Sequence, residues 1–109
     1  MEKLSPYALG ATLYMPATRN DLLAVVCGDK IPQLRSLVIC LEDAVAEQDV
    51  EFALNNLQRL LLDLSRVKRY KDAPLVFVRP RNLNMAKQLV EWPLMSLIDG
   101  LVLPKFTLH

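Results

Sequence analysis

Glu42 and Asp43 are adjacent carboxylates that follow directly on the apolar residues 37–41. The design recurs along the chain. Residues 74–78 run into Arg79 and Arg81, and residues 100–104 run into Lys105. A planar guanidinium can grip a carboxylate through two parallel hydrogen bonds. Short apolar runs of this kind suit strands buried on both faces of a parallel sheet. Open parallel sheets and α/β barrels hold their chemistry at the C-terminal ends of such strands. Charges of both signs are therefore expected on one rim of one sheet.

The elements that would position them read in order. A first strand is expected over residues 11–15, stopped by Pro16, and a short helix over residues 21–27, with Thr18 or Asn20 able to cap it. Residues 28–30 look like its C-terminal stop. A second strand follows at 36–41, and the longest helix at about 49–66. On that helix Val50, Ala53, Leu54, Leu57, Leu60, Leu61 and Leu64 fall at i, i+3, i+4 and i+7 spacing, one stripe for packing on a sheet. A third strand is expected at 75–78, a shorter helix at 85–91 and a fourth strand at 101–103. Alternation of strands and helices argues for right-handed crossovers and an α/β parallel sheet of about four βα units. Such a chain would leave its fourth strand open as an apolar edge, a liability unless something pairs with it.

Composition narrows the classes. The 109 residues suffice for one domain with a core, and 52% are hydrophobic. Thirteen basic and 12 acidic residues leave a formal charge of +1, which gives no electrostatic reason to expect nucleic acid or an anionic membrane. Arg66, Lys68, Arg69 and Lys71 read as a solvated helix end. No apolar run approaches the ~20 residues of a membrane helix, and residues 1–6 lack a signal-peptide core. Cys27 and Cys40 have no metal-site spacing, and Cys40 lies in an apolar run as a buried, inert thiol. Two thiols without metal-site spacing point to a reducing compartment, so a cytoplasmic location is expected.

Four segments together carry a resemblance: residues 11–16 (ATLYMP), 41–45 (LEDAV), 78–82 (VRPRN) and 99–105 (DGLVLPK). In this order and at these intervals they resemble the HpcH/HpaI aldolase and citrate lyase β-subunit family. Within it, the chain is similar to the citrate-lyase-like C–C bond lyases found near tellurium-resistance genes. The resemblance implies a (β/α)₈ TIM barrel, of which residues 1–109 would be the N-terminal half, since a full barrel takes roughly 250 residues. It implies cleavage or formation of a carbon–carbon bond in a 2-oxo or 2-hydroxy carboxylic acid, with Mg²⁺ or another divalent ion. Arg79 matches the family arginine that holds the substrate carboxylate and carbonyl. Glu42 and Asp43 match an acidic pair expected to orient that arginine or to bind water around the metal. Lys105 matches a lysine that adds positive potential at the rim or pairs with an acid.

The family's direct metal ligands fall on later strands. No residue of this chain is assigned as a ligand, and no metal is expected to bind well to this chain alone. The chain alone is expected to have little activity, its intact parent to bind a small carboxylic acid, and the chain to form a homo-oligomer or to associate through its exposed sheet edge. There are departures from the family pattern. Cys40 stands where an aspartate is common, Ala17 where glycine is common, and Gly10 near the place of an arginine. They weigh against a coenzyme A thioester as substrate.

Plainer roles exist for the same residues. Glu42 and Asp43 would serve as turn caps, and Arg79 as a salt-bridge partner pinning two loops. The last is compatible with catalysis, because an arginine held by acids is a better clamp. Arg81 and Asn82 read as loop residues, and His109, the terminal residue, as neither base nor ligand. Trp92, Tyr14, Phe77 and Phe106 read as packing. A different class also fits: a small self-associating α/β interaction module, or a truncated non-catalytic product.

Overall fold

The computed structural model describes residues 12–28, 34–42, 45–67 and 73–102. Four strands, β1 (Thr12–Pro16), β2 (Ser36–Cys40), β3 (Leu75–Arg79) and β4 (Gly100–Leu101), alternate with three helices, α1 (Leu22–Val26), α2 (Val50–Leu64) and α3 (Leu83–Val90). All neighbouring strands are parallel, in the order β1-β2-β3-β4. The expected α/β partial barrel is what forms. Each crossover steps one strand in the same direction, so right-handed connections put every helix on one face. An open doubly wound sheet would need a reversal of strand order, and there is none.

Alternation along the strands sorts their residues. Leu37 and Ile39 of β2 and Val76 and Val78 of β3 join the helix-side core, with Leu57, Leu61 and Leu64 of α2 and Leu89 of α3. Val38 and Cys40 are buried too, yet stand outside that core, on the opposite face. The α2 stripe is as its spacing required: Ala53, Leu57, Leu60, Leu61 and Leu64 are buried, and Val50 and Leu54 pack beside them.

Several boundaries differ from expectation, each for a local reason. Pro16 belongs to β1 rather than stopping it. Ala17 N–H faces β2, donating to Cys40 O at 2.9 Å, so the missing N–H of Pro16 faces the open edge, where it costs the ladder nothing. Neither Thr18 nor Asn20 caps α1. Asp21 holds that position, and its carboxylate takes two bonds from Arg19, Nε at 3.1 Å and Nη2 at 2.8 Å. Helix α3 starts earlier than expected because Asn82 caps it: Asn82 Oδ1 accepts from Met85 N–H at 2.8 Å. A 3₁₀ turn, Pro93–Leu97, follows α3, and β4 begins at Gly100. Tyr14 does not pack in the core. It is 56% exposed on the face away from the helices. Trp92 does pack against the core, and Phe77 is half-buried. Phe106 lies outside the described residues.

Leu57 is fully buried, whereas Leu62, five residues on and on the other side of the helix, is 46% exposed. Urea unfolding should therefore show a loss of about 2–5 kcal/mol for Leu57→Ala and within about 0.5 kcal/mol for Leu62→Ala. Equal losses would mean that α2 presents a different face to the sheet.

Candidate functional site

The site is built by the ends of β2 and β3. Cys40 is the register partner of Arg79. The pairing runs one step further, since Leu41 N–H donates to Arg79 O at 2.9 Å. The chain thus leaves β2 beside the end of β3, and Glu42 comes next. Its Oε1 lies 2.9 Å from Arg79 Nε, and both side chains remain about a quarter exposed, 25% and 28%. Val76 and Val78 point into the helix-side core, so Arg79 stands on the opposite face, at the C-terminal rim. Arg79 Nε is shielded from solvent but makes no aligned hydrogen bond. Contact with Glu42 is therefore a close charge pair whose N–H is not aimed along the line between them. It leaves that donor unmet, and no hydrogen bond from either Nη atom to another described residue accompanies it.

Arg81 ties the two rim loops together. Its Nη1 donates to three carbonyls of the loop after β2: Leu41 O at 3.3 Å, Glu42 O at 3.2 Å and Val45 O at 3.0 Å. A cation facing converging carbonyl dipoles forms charge-assisted bonds, stronger than neutral ones. Sequence inspection placed Arg81 only as a loop residue. Its one local signal was the two-residue spacing from Arg79. Its partners lie 36–40 residues earlier in the chain.

The loop after β1 is held from below. Asn56 of α2 gives both its amide protons to that loop, at 2.8 Å to Ala17 O and 2.7 Å to Arg19 O. The Arg19 guanidinium is committed to Asp21 and adds no free charge to the rim.

Of the residues singled out from sequence, Arg79 and Glu42 are brought together. Asp43, Lys105 and His109 lie outside the described residues. Cys40 is buried beside Arg79, and its Sγ is 3.7 Å from Val38 O. A divalent cation does not fit what is described. No group of three His, Cys, Asp or Glu side chains converges among the described residues. Of the described carboxylates after β1 and β2, Glu42 already faces Arg79 and Asp21 faces Arg19. Direct binding of Mg²⁺ usually needs one or two carboxylates free to take octahedral positions. No described helix is long and apolar enough to cross a membrane.

Asn56→Ala would leave the carbonyls of Ala17 and Arg19 without these donors. It should cost about 1–2 kcal/mol, read by urea unfolding. Unchanged stability would mean that α2 does not anchor the first rim loop.

Comparison with known proteins adds an independent finding. Searches of curated proteins and of solved structures found no match. A family model does match, over residues 3–109, almost the whole sequence. The parallel β-α alternation, the one-sided helix layer and this match agree, and the chain belongs to the C–C bond lyases of the TIM-barrel fold.

Proposed function

We propose that the rim at the ends of β2 and β3 binds the carboxylate of a 2-oxo or 2-hydroxy acid whose carbon–carbon bond is cleaved or formed in the complete barrel. The observation that carries this is the guanidinium of Arg79 at the C-terminal rim, held on its Nε side by Glu42 at 2.9 Å. With that side occupied, the Nη edge is left to take a second carboxylate as a parallel pair of bonds. Bond cleavage next to a carbonyl leaves its electron pair on the enolate oxygen. A cation fixed beforehand stabilises that charge without reorganising. Glu42 keeps the arginine in place, and its own negative charge offsets the cost of a partly buried cation.

The finer kinship, with HpcH/HpaI aldolases and citrate lyase β-subunits, belongs to the same reading, as do a divalent cation held by carboxylates outside the described residues, and Asp43 and Lys105 as further charges on the rim. The chain's own described contribution is the arginine clamp. Closure of a barrel is supported by the uncovered sheet face. Tyr14 and Leu75 are 56% and 53% exposed there, and they would face the lumen once further strands pair with the open edges of β1 and β4. Those edges are also where association with a second chain would occur.

The test is cleavage of a panel of 2-oxo and 2-hydroxy acids by the full-length protein, followed by NMR of the products. Arg79→Ala should lower kcat/KM by about 10²–10³-fold, with Arg79→Lys recovering only part, because an ammonium cannot make the paired contact. Undiminished kcat/KM in Arg79→Ala would contradict the assignment.

A further inference from the structure

The three bonds of Arg81 form an arrangement that the clamp alone does not explain. One nitrogen, Nη1, faces the carbonyls of Leu41, Glu42 and Val45 at 3.0–3.3 Å. Two of these carbonyls bracket the α-carbon of Glu42, whose carboxylate meets Arg79. Arg81 itself is fixed from behind. Its own N–H lies 3.4 Å from Met85 Sδ, and the next residue, Asn82, caps α3. Leu41 N–H, in turn, bonds Arg79 O. The contacts close a ring: β3 holds Arg79, the loop after β3 holds Arg81, Arg81 holds the backbone of Glu42, and Glu42 returns to Arg79.

We infer that Arg81 is a positioning residue of the rim: by gripping three carbonyls of the loop after β2 it sets the Glu42 carboxylate against Arg79 and so aims the guanidinium that receives the substrate. This rests on the carboxylate-clamp role of Arg79. The two N–H donors of Arg81 Nη1 are spent on backbone oxygens. A carboxylate on the rim needs an arginine in one orientation, and a loop that wanders by 1 Å would lose much of that benefit. Among the described residues the loop after β2 has no helix or strand between Cys40 and the 3₁₀ turn Glu47–Asp49. It has one turn bond, from Val45 N–H to Glu42 O at 3.1 Å, and the carbonyl grip ties that turn to the loop after β3.

The test uses two readouts in the full-length, ¹⁵N-labelled protein. The first is hydrogen exchange of the Arg79 Nε–H, assigned by its disappearance in Arg79→Lys, and it needs no ligand. The second is binding of oxalate, a planar stand-in for a 2-oxo acid enolate. Arg81→Met should speed Nε–H exchange and weaken oxalate binding, each by about tenfold. In a Glu42→Gln background the same substitution should weaken oxalate less than twofold further, because the two residues act in series. Arg81→Lys, which keeps three donors on one cationic nitrogen, should recover most of both.

Unchanged Nε–H exchange in Arg81→Met would overturn the inference. So would an equal loss of oxalate binding in both backgrounds, which marks a general structural effect, or a lysine variant as impaired as the methionine one. If oxalate fails to bind the unaltered protein, the clamp role of Arg79 fails, and Nε–H exchange alone then decides whether Arg81 positions Glu42. Should Arg81→Met not fold, Arg81→Gln, too short to reach all three carbonyls, gives the same two readouts.

Discussion

The register of β2 against β3 governs where the charge of this protein can sit. Ser36 pairs with Leu75 and Cys40 with Arg79. Because side chains alternate along a strand, this pairing sends Val76 and Val78 into the helix-side core and Arg79 to the other face. Turning β3 over by one residue would drive the guanidinium among Leu57, Leu61 and Leu89. An unpaired charge there costs several kcal/mol. Burial of two valines thus fixes the position of one arginine. The same ladder sets Leu41 N–H on Arg79 O. That bond starts the loop after β2 at the one place from which Glu42 reaches Arg79.

The two faces of the sheet do different work. One buries the stripes of α2 and α3 and supplies the stability. On the other, rows of register partners run across the strands: Thr12, Ser36 and Leu75 at the base, then Tyr14, Val38, Phe77 and Gly100, then Pro16, Cys40 and Arg79 at the rim. The base row is tied by Thr12 Oγ1 and Ser36 Oγ at 2.7 Å. In the middle row Gly100 lies under Phe77, where a Cβ would come within 3.4 Å of the ring. Apolar side chains fill the middle and charges crown the C-terminal end. A carboxylate bound on the rim would rest above this apolar row, in which Val38 is buried and Tyr14 exposed.

Much of this was legible in the residues. The runs at 37–41 and 75–78 read as strands from their short apolar character, though only 37–41 is buried on both faces and Leu75 is exposed, and the leucines of α2 fall on one stripe at helical spacing. An acid beside Arg79 was expected from the strand ends of a parallel sheet, with Glu42 and Asp43 both open, and Glu42 is the described partner. The harder features are those decided by distant partners. Nothing near Arg81 in the chain says that its guanidinium will serve carbonyls some 40 residues away. Tyr14 belongs to a β-rich apolar stretch, and only the one-sided helix layer reveals that it faces outward. The cap at Asn82 was readable as a residue type, but it gained force only from its bond to Met85 N–H. Pro16 looked like a stop and became the last residue of β1, because the edge of a sheet tolerates what its interior does not.

The account turns on one claim, that the outer edge of Arg79 is the seat of a substrate carboxylate. A crystal structure of the full-length protein with oxalate bound tests it most directly. Both oxygens of one oxalate carboxylate should lie within hydrogen-bond distance of the two Nη atoms of Arg79, with Glu42 still beside Nε. Oxalate bound elsewhere, or an Arg79 whose Nη edge is taken up by the protein's own side chains, would contradict it.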